Sequence, residues 1–210
     1  MTDRRNAQIS SRKQPRQARA VELVAAVLDA AVQVLAKEGA QRFTMARVAE
    51  RAGVSVGSLY QYFPNKAAIL FRLQSDEWRQ TTDLLRTILE DTGRPPLERL
   101  RTLVHAFVQS ECDEATVRGA LDDAAPLYRD APEARAAKES GMDTVQRFMR
   151  EALPGTSKAA QDLAGDLITT TLSQVGKQFS EAPRSPAEVH AYAEAMADMF
   201  CAYLKDLGCR

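Results

Sequence analysis

The stretch TMARVAERAGVSVGSLYQYFPNK, residues 44–66, sets the tightest limit on what this chain can become. It holds two short helical patterns, separated by Gly53 and stopped by Pro64. Isolated helices that short are marginal in water, so both must be held by packing against something longer. Thr44 is placed to N-cap a helix over Met45–Ala52, its hydroxyl accepting a free backbone N–H. Ala46, Val48 and Ala49 would face inward. Gly53 permits the positive φ of a tight turn. Ser55 caps a second helix from Val56 to Tyr62, Pro64 disfavours helical geometry at Phe63, and Asn65 caps a new helix from Lys66. The longer support lies just upstream: Val21, Val24, Leu28, Ala31, Val32 and Leu35 recur at three- and four-residue steps from Arg19, until Gly39 ends the pattern.

Beyond residue 66 the periodicity stays helical. Segments run from Lys66 to about Glu90, Pro96 to about Cys112, through a short helix within 113–131, then Glu133–Leu153, Ser157–Ser180 and Ala187–Leu207, with Gly and Pro between them. No stretch alternates with period two, so no sheet is expected. The fold class is all-α: a basic, disordered arm over 1–18, a three-helix helix-turn-helix domain over 19–65, and a larger helical domain over 66–210 that serves ligand binding and dimerisation.

Charge is unevenly spread. The chain carries 28 Lys/Arg and 28 Asp/Glu, but residues 1–66 hold 11 of the former and 5 of the latter. That end is suited to a polyanion. Other chemistries lack their residues. There is no Gly-rich phosphate loop, nucleophile elbow or HExxH, and only two His, so the chain is not expected to be an enzyme. Cys112, Cys201 and Cys209 have neither CxxC spacing nor a nearby His pair, so no disulfide framework, metal or cofactor is expected. No apolar run is long enough to cross a bilayer and the start is polar and basic, so a cytoplasmic location without membrane contact is expected.

In a helix-turn-helix the second helix enters the major groove, which is about 12 Å wide. Gly57-Ser58 then stands where backbone must approach DNA, and this would offset the roughly 1 kcal/mol that glycine costs inside a helix. Phe43-Thr44, Val48-Ala49, Ala52-Gly53-Val54-Ser55, Leu59-Tyr60, Tyr62-Phe63 and Asn65-Lys66 together resemble the DNA-binding signature of the tetracycline-repressor (TetR) family of bacterial transcriptional regulators. The resemblance covers about residues 19–70; the remainder is similar only in length and helical content. It implies that Thr44, Tyr60, Tyr62 and Lys66 reach phosphates, as Arg47 could, and that Ser55, Val56, Gly57 and Ser58 face base edges, with Gln61 toward a base or solvent. Leu59 and Phe63 would lock the small domain's core. The recognition helix lacks Arg and Asn, so part of the specificity is expected from DNA shape or from Arg12, Lys13, Arg16 and Arg19 in a minor groove.

Such proteins bind paired half-sites of a palindromic double-stranded operator as dimers. Leu163, Leu167, Thr171, Val175 and Phe179 fall on every fourth residue, with Ala160 and Ala164 allowing close approach, and Val189, Tyr192, Met196, Met199, Tyr203 and Leu207 form a second stripe. Two such helices from each subunit would make a four-helix homodimer interface, as the resemblance also implies. It further implies an unknown small-molecule effector in the central helices, for which Trp78, His105, Phe107, Tyr128 and Phe148 are candidates. The resulting expectation is a homodimeric repressor released from its operator by that effector. Two alternatives stand beside it: a thiol-based regulator acting through Cys112 or Cys201, and a DNA-binding protein that needs no ligand.

Overall fold

The structure is a computed structural model that describes Ile9, residues 18–128 and residues 142–209. The described residues form nine α-helices, one 3₁₀ turn over Ala125–Leu127 and no strand. They fall into two compact units. One takes the described residues up to Trp78 and those from Thr116 to Tyr128; the other takes Arg79–Ala115 and those from Met142 onward. The expected arm over 1–18, including Arg12, Lys13 and Arg16, lies outside the described residues except for Ile9 and Ala18, and Ile9 is buried in the first unit's core.

The first unit begins with α1, Ala18–Arg42, broken at Gly39 (φ 70°, ψ 172°) as its sequence suggests, although helical turns resume as far as Arg42. Then come α2 (Met45–Ala52), α3 (Val56–Tyr62) and the first half of α4 (Lys66–Leu89). The caps are local and explicit. Thr44 Oγ1 accepts from Arg47 N at 3.3 Å, Ser55 Oγ from Ser58 N at 3.0 Å, and Asn65 Oδ1 from Ala68 N at 2.9 Å. Gly53 takes φ 67°, and Val54 N closes back onto Ala49 O at 3.0 Å, which turns α2 sharply into α3. On α2 the buried stripe is Met45, Val48 and Ala49; Ala46 is exposed, against expectation, because it falls outside that i, i+3, i+4 set. On α1, Val27, Ala31 and Leu35 are fully buried, whereas Val21 is exposed.

The core joins these α1 residues to Phe43, Val48, Leu59 and Phe63, and to Ala67, Ala68, Ile69 and Leu70 of α4. That burial is why the first unit extends past the boundary expected at 65/66: α4 could not leave without exposing four apolar side chains. α6 (Ala115–Ala124) also belongs here through Leu121 and Ala124, and Tyr128 follows it. The buried Tyr128 hydroxyl donates to Leu121 O at 3.1 Å and Gln74 Oε1 at 3.3 Å. Burial and the carboxylates of Asp122 and Glu77 raise its pKa well above the usual phenol range, so it stays protonated.

The second unit packs α5 (Pro96–Asp113), α7 (Met142–Ala152), α8 (Lys158–Ser180) and α9 (Pro186–Asp206) around one apolar core. The expected helix over Glu133–Leu153 is observed from Met142; residues 133–141 lie outside the described set. Arg99 is buried in this core. Its guanidinium donates to the carbonyl of Leu89 at the end of α4 and to both oxygens of Glu151 on α7, and stands 5.4 Å from the Phe148 ring centroid. One side chain thereby satisfies a helix-end carbonyl and joins α4, α5 and α7. A capping box opens α9, with Ser185 Oγ accepting from Glu188 N at 3.3 Å and the Glu188 carboxylate accepting from Ser185 N at 2.8 Å. Those bonds hold the Glu188 carboxyl below its ordinary 4.5.

Candidate DNA interface

On α3 the residues sort by face. Leu59, Tyr62 and Phe63 form the i, i+3, i+4 stripe that packs into the first core. Ser55, Val56, Gly57, Tyr60 and Gln61 are exposed, and Ser58 is half-buried. Tyr62 is 9% exposed where Tyr60 is 41% exposed, because its position shares Leu59's side of the helix. Only Tyr60 carries a phenol on the open face.

Gly57 makes a gap in that face. A Cβ built there would meet one atom within 4 Å, Ser55 Oγ at 3.8 Å, which is ordinary contact distance. The protein's own packing gives no reason for glycine here. Beside the gap Ser55 and Ser58 share a hydrogen bond, Oγ to Oγ at 2.8 Å. This pair can offer a hydroxyl donor or acceptor to a base edge.

Thr44 is exposed at the start of α2 and Lys66 half-buried at the start of α4, both helix N-termini, where backbone N–H groups favour phosphate. Arg19 is exposed near the start of α1. Arg47 is not free on the surface. It forms an ion pair with Glu38 of α1, and one turn further on Arg51 Nε donates to Gln33 Oε1 at 2.6 Å. Both arginines line a groove of about 530 Å³ along α1 and α2, with Gln33, Val34, Lys37, Glu38 and Glu50. Sequence periodicity did not show this pairing, because Glu38 and Arg47 belong to different helices.

The five effector candidates are divided between the two units. Tyr128 sits in the first core, and Trp78 is half-buried in the same unit. Phe107 and Phe148 are buried in the second core. His105 is half-buried there, with Nε2 2.7 Å from Glu194 Oε2 and its ring centroid 5.2 Å from that of His190.

The expected interface stripes divide as well. Leu163, Leu167 and Met199 are exposed by 62%, 47% and 53%. Thr171, Val175, Phe179, Tyr192 and Tyr203 are half-buried, with Phe179 and Tyr192 stacked at 3.9 Å. Val189 and Met196 face the second unit's own core, along with Ala164 of α8. They share the α9 face of Ala193, Phe200 and Leu204, which the helical period carries inward.

The thiols are poorly placed for redox chemistry. Burial raises the pKa of all three, and at Cys112 the carboxylates of Asp113 and Glu111 raise it further. Each stays a thiol where a sensor needs thiolate. Among the described residues there is no cluster of His, Cys, Asp or Glu that could hold a metal, and no helix long and apolar enough to cross a membrane.

Two family models match the chain. Residues 27–73 match the bacterial regulatory proteins of the tetR family, and residues 95–207, over half of the chain, match the tetracyclin repressor-like C-terminal domain. A curated relative, the HTH-type transcriptional repressor KstR of Rhodococcus jostii, is 28% identical over 138 residues, which is 66% of this chain and 63% of that repressor's length. Among solved structures, the fatty acid degradation regulator FadR from Bacillus halodurans aligns with a TM-score of 0.67 at 20% identity, over 94% of this chain and 100% of that one. The transcriptional regulator FadR from Bacillus subtilis in complex with stearoyl-CoA aligns with a TM-score of 0.65 at 18% identity, over 85% and 98%. At these identities the structures speak to the fold; the two family models, one for each part of the chain, establish that the protein belongs to the TetR family of DNA-binding transcriptional regulators.

Proposed function

We propose that the protein is a homodimeric repressor that binds a two-fold symmetric operator in the cytoplasm and leaves it when a small-molecule effector binds. The observation that carries the reading is the exposed face of α3, with a gap at Gly57 that internal packing does not require. In this reading Ser55, Val56, Gly57, Ser58 and Gln61 meet base edges, Val56 suiting a thymine methyl. Thr44, Tyr60 and Lys66 take phosphates, and Arg16 and Arg19, with Arg12 and Lys13, supply charge to a minor groove.

One head reads only a few base pairs, so a second copy is needed for a two-fold operator. Leu163, Leu167 and Met199 supply the uncovered apolar surface for it on α8 and α9. Half-buried Thr171, Val175, Phe179, Tyr192 and Tyr203 border that surface, while Val189 and Met196 support it from within. The double substitution Leu163→Arg with Leu167→Arg is expected to give a folded monomer by light scattering and at least a hundredfold loss of operator affinity. A wild-type chain that runs as a monomer at micromolar concentration would refute the dimer.

In this reading the effector binds the second unit, with His105, Phe107 and Phe148 as the residues to test. An acyl thioester is the first class to try, because a fold relative is described with stearoyl-CoA. By linkage an effector must bind more tightly to the form that DNA disfavours. It is identified as a compound that raises the melting temperature of the free protein and lowers its operator affinity.

A further inference from the structure

We infer that Glu38 is a positioning residue for DNA binding: it holds Arg47 against α1 and so keeps one cation per head out of the protein's phosphate contacts. The inference rests on the DNA-binding reading above. Arg47 lies in the first turn of α2, the turn whose N-cap is Thr44, and Thr44 Oγ1 accepts the Arg47 backbone N–H. A cation at a helix N-terminus opposes the helix dipole. Left alone, its favourable partner would be an anion arriving at that terminus, and in a complex with DNA the anion available is a phosphate. Glu38 supplies an internal anion instead, and Arg47 pairs with it.

The arrangement on α2 is asymmetric. Arg51, one turn later, donates to the neutral amide of Gln33, whereas Arg47 is paired with a carboxylate. Of the two arginines that line this groove, the one in the first turn of α2 is the one with a carboxylate across the helix pair. Neither Arg47 nor Glu38 is buried: their side chains are 45% and 33% exposed, so the pair holds by a modest exposed-ion-pair attraction that solvent screens. It can therefore be released by a single conservative change without disturbing a core.

Phosphate contacts add sequence-independent affinity, and each one neutralised steepens the fall of log K with log[salt] by about 0.9. Holding Arg47 back lowers the grip on DNA of every sequence by the same factor. The test measures binding of purified Glu38→Gln and wild type to a selected operator and to unrelated duplex DNA across a salt series. The expected result is a gain of roughly two- to fivefold per head, the range a screened surface pair can withhold. The gain is equal for the two DNAs and comes with a slope steeper by about 0.9 per head. Glu38→Asp, which keeps the charge on a shorter arm, stays near wild type. In an Arg47→Ala background Glu38→Gln gives no steepening. An unchanged slope with an intact melting curve, a gain confined to the operator, or a gain that persists without Arg47 would each overturn the inference. Wild type that binds no DNA at all would instead overturn the reading on which it rests.

Discussion

Gly57→Ala is expected to leave the protein as stable as wild type or slightly more so, while operator affinity falls by about tenfold or more. The two directions come from two independent facts. Alanine is preferred over glycine within helices by up to about 1 kcal/mol, and the new Cβ meets nothing closer than Ser55 Oγ at 3.8 Å. The free protein therefore loses nothing. A base edge or sugar that occupies the gap in the complex is displaced, at a cost of about 1–3 kcal/mol for each spoiled base-pair contact, and a dimer incurs it twice. Gly57→Leu extends the same argument: a larger side chain fills the gap, and affinity is expected to fall by on the order of a thousandfold with the melting temperature preserved. Anisotropy titrations paired with thermal melts check both. A destabilised Gly57→Ala would mean that the gap belongs to the fold, and unchanged binding would mean that α3 does not approach DNA at this point.

The second large effect falls on stability. Arg99→Ala is expected to cost about 3 kcal/mol, near the lower end of the range for breaking a buried ion pair. The lower end applies because Glu151 is 46% exposed and can be rehydrated, whereas Arg99 is 1% exposed and leaves a void. The substitution also removes the donor to Leu89 O and the cation beside Phe148. Arg99→Met fills most of the volume without a charge, and replacement of a buried ion pair by a well-packed apolar side chain is often close to neutral. It is expected to recover more than half of the loss. Urea titrations followed by circular dichroism read both variants, with a midpoint shift for Arg99→Ala of roughly 1 M. Equal losses for Ala and Met would place the contribution in the hydrogen bonds to Leu89 and Glu151 rather than in packing.

What was legible in the sequence was local. Thr44, Ser55 and Asn65 cap their helices because a side-chain oxygen two or three residues before a free N–H acts within one turn. Gly53 and Pro64 break the chain where their own backbones require it. The helical class and the family signature follow from such short-range rules. What remained hidden depends on tertiary partners. In a seven-residue helix with Tyr60, Tyr62 and Phe63 close together, composition does not say which ring faces inward; the stripe set by Leu59 decides it, and Tyr62 goes with Leu59. On α9, apolar groups lie on more than one face, so periodicity marked Val189 and Met196 as readily as Met199, and only packing against α5 and the second core separates them. The pairs Arg99–Glu151 and Arg47–Glu38 join different helices, and no spacing along the chain foretells them. The unit boundary differs for the same reason: Ala67–Leu70 read as the opening of a new domain but are buried in the first unit's core.

In the proposed function α3, presented twice by a dimer, reads a two-fold symmetric DNA site. Selection of bound sequences from a random duplex pool, followed by footprinting of the winners, is the decisive experiment. The enriched sites are expected to carry inverted half-sites whose centres lie one helical turn, about 34–36 Å, or a multiple of that apart, with protection on both and none when Gly57→Leu replaces the wild type. An enriched pool without symmetry, a footprint over one half-site only, or the same sites recovered with Gly57→Leu would contradict it.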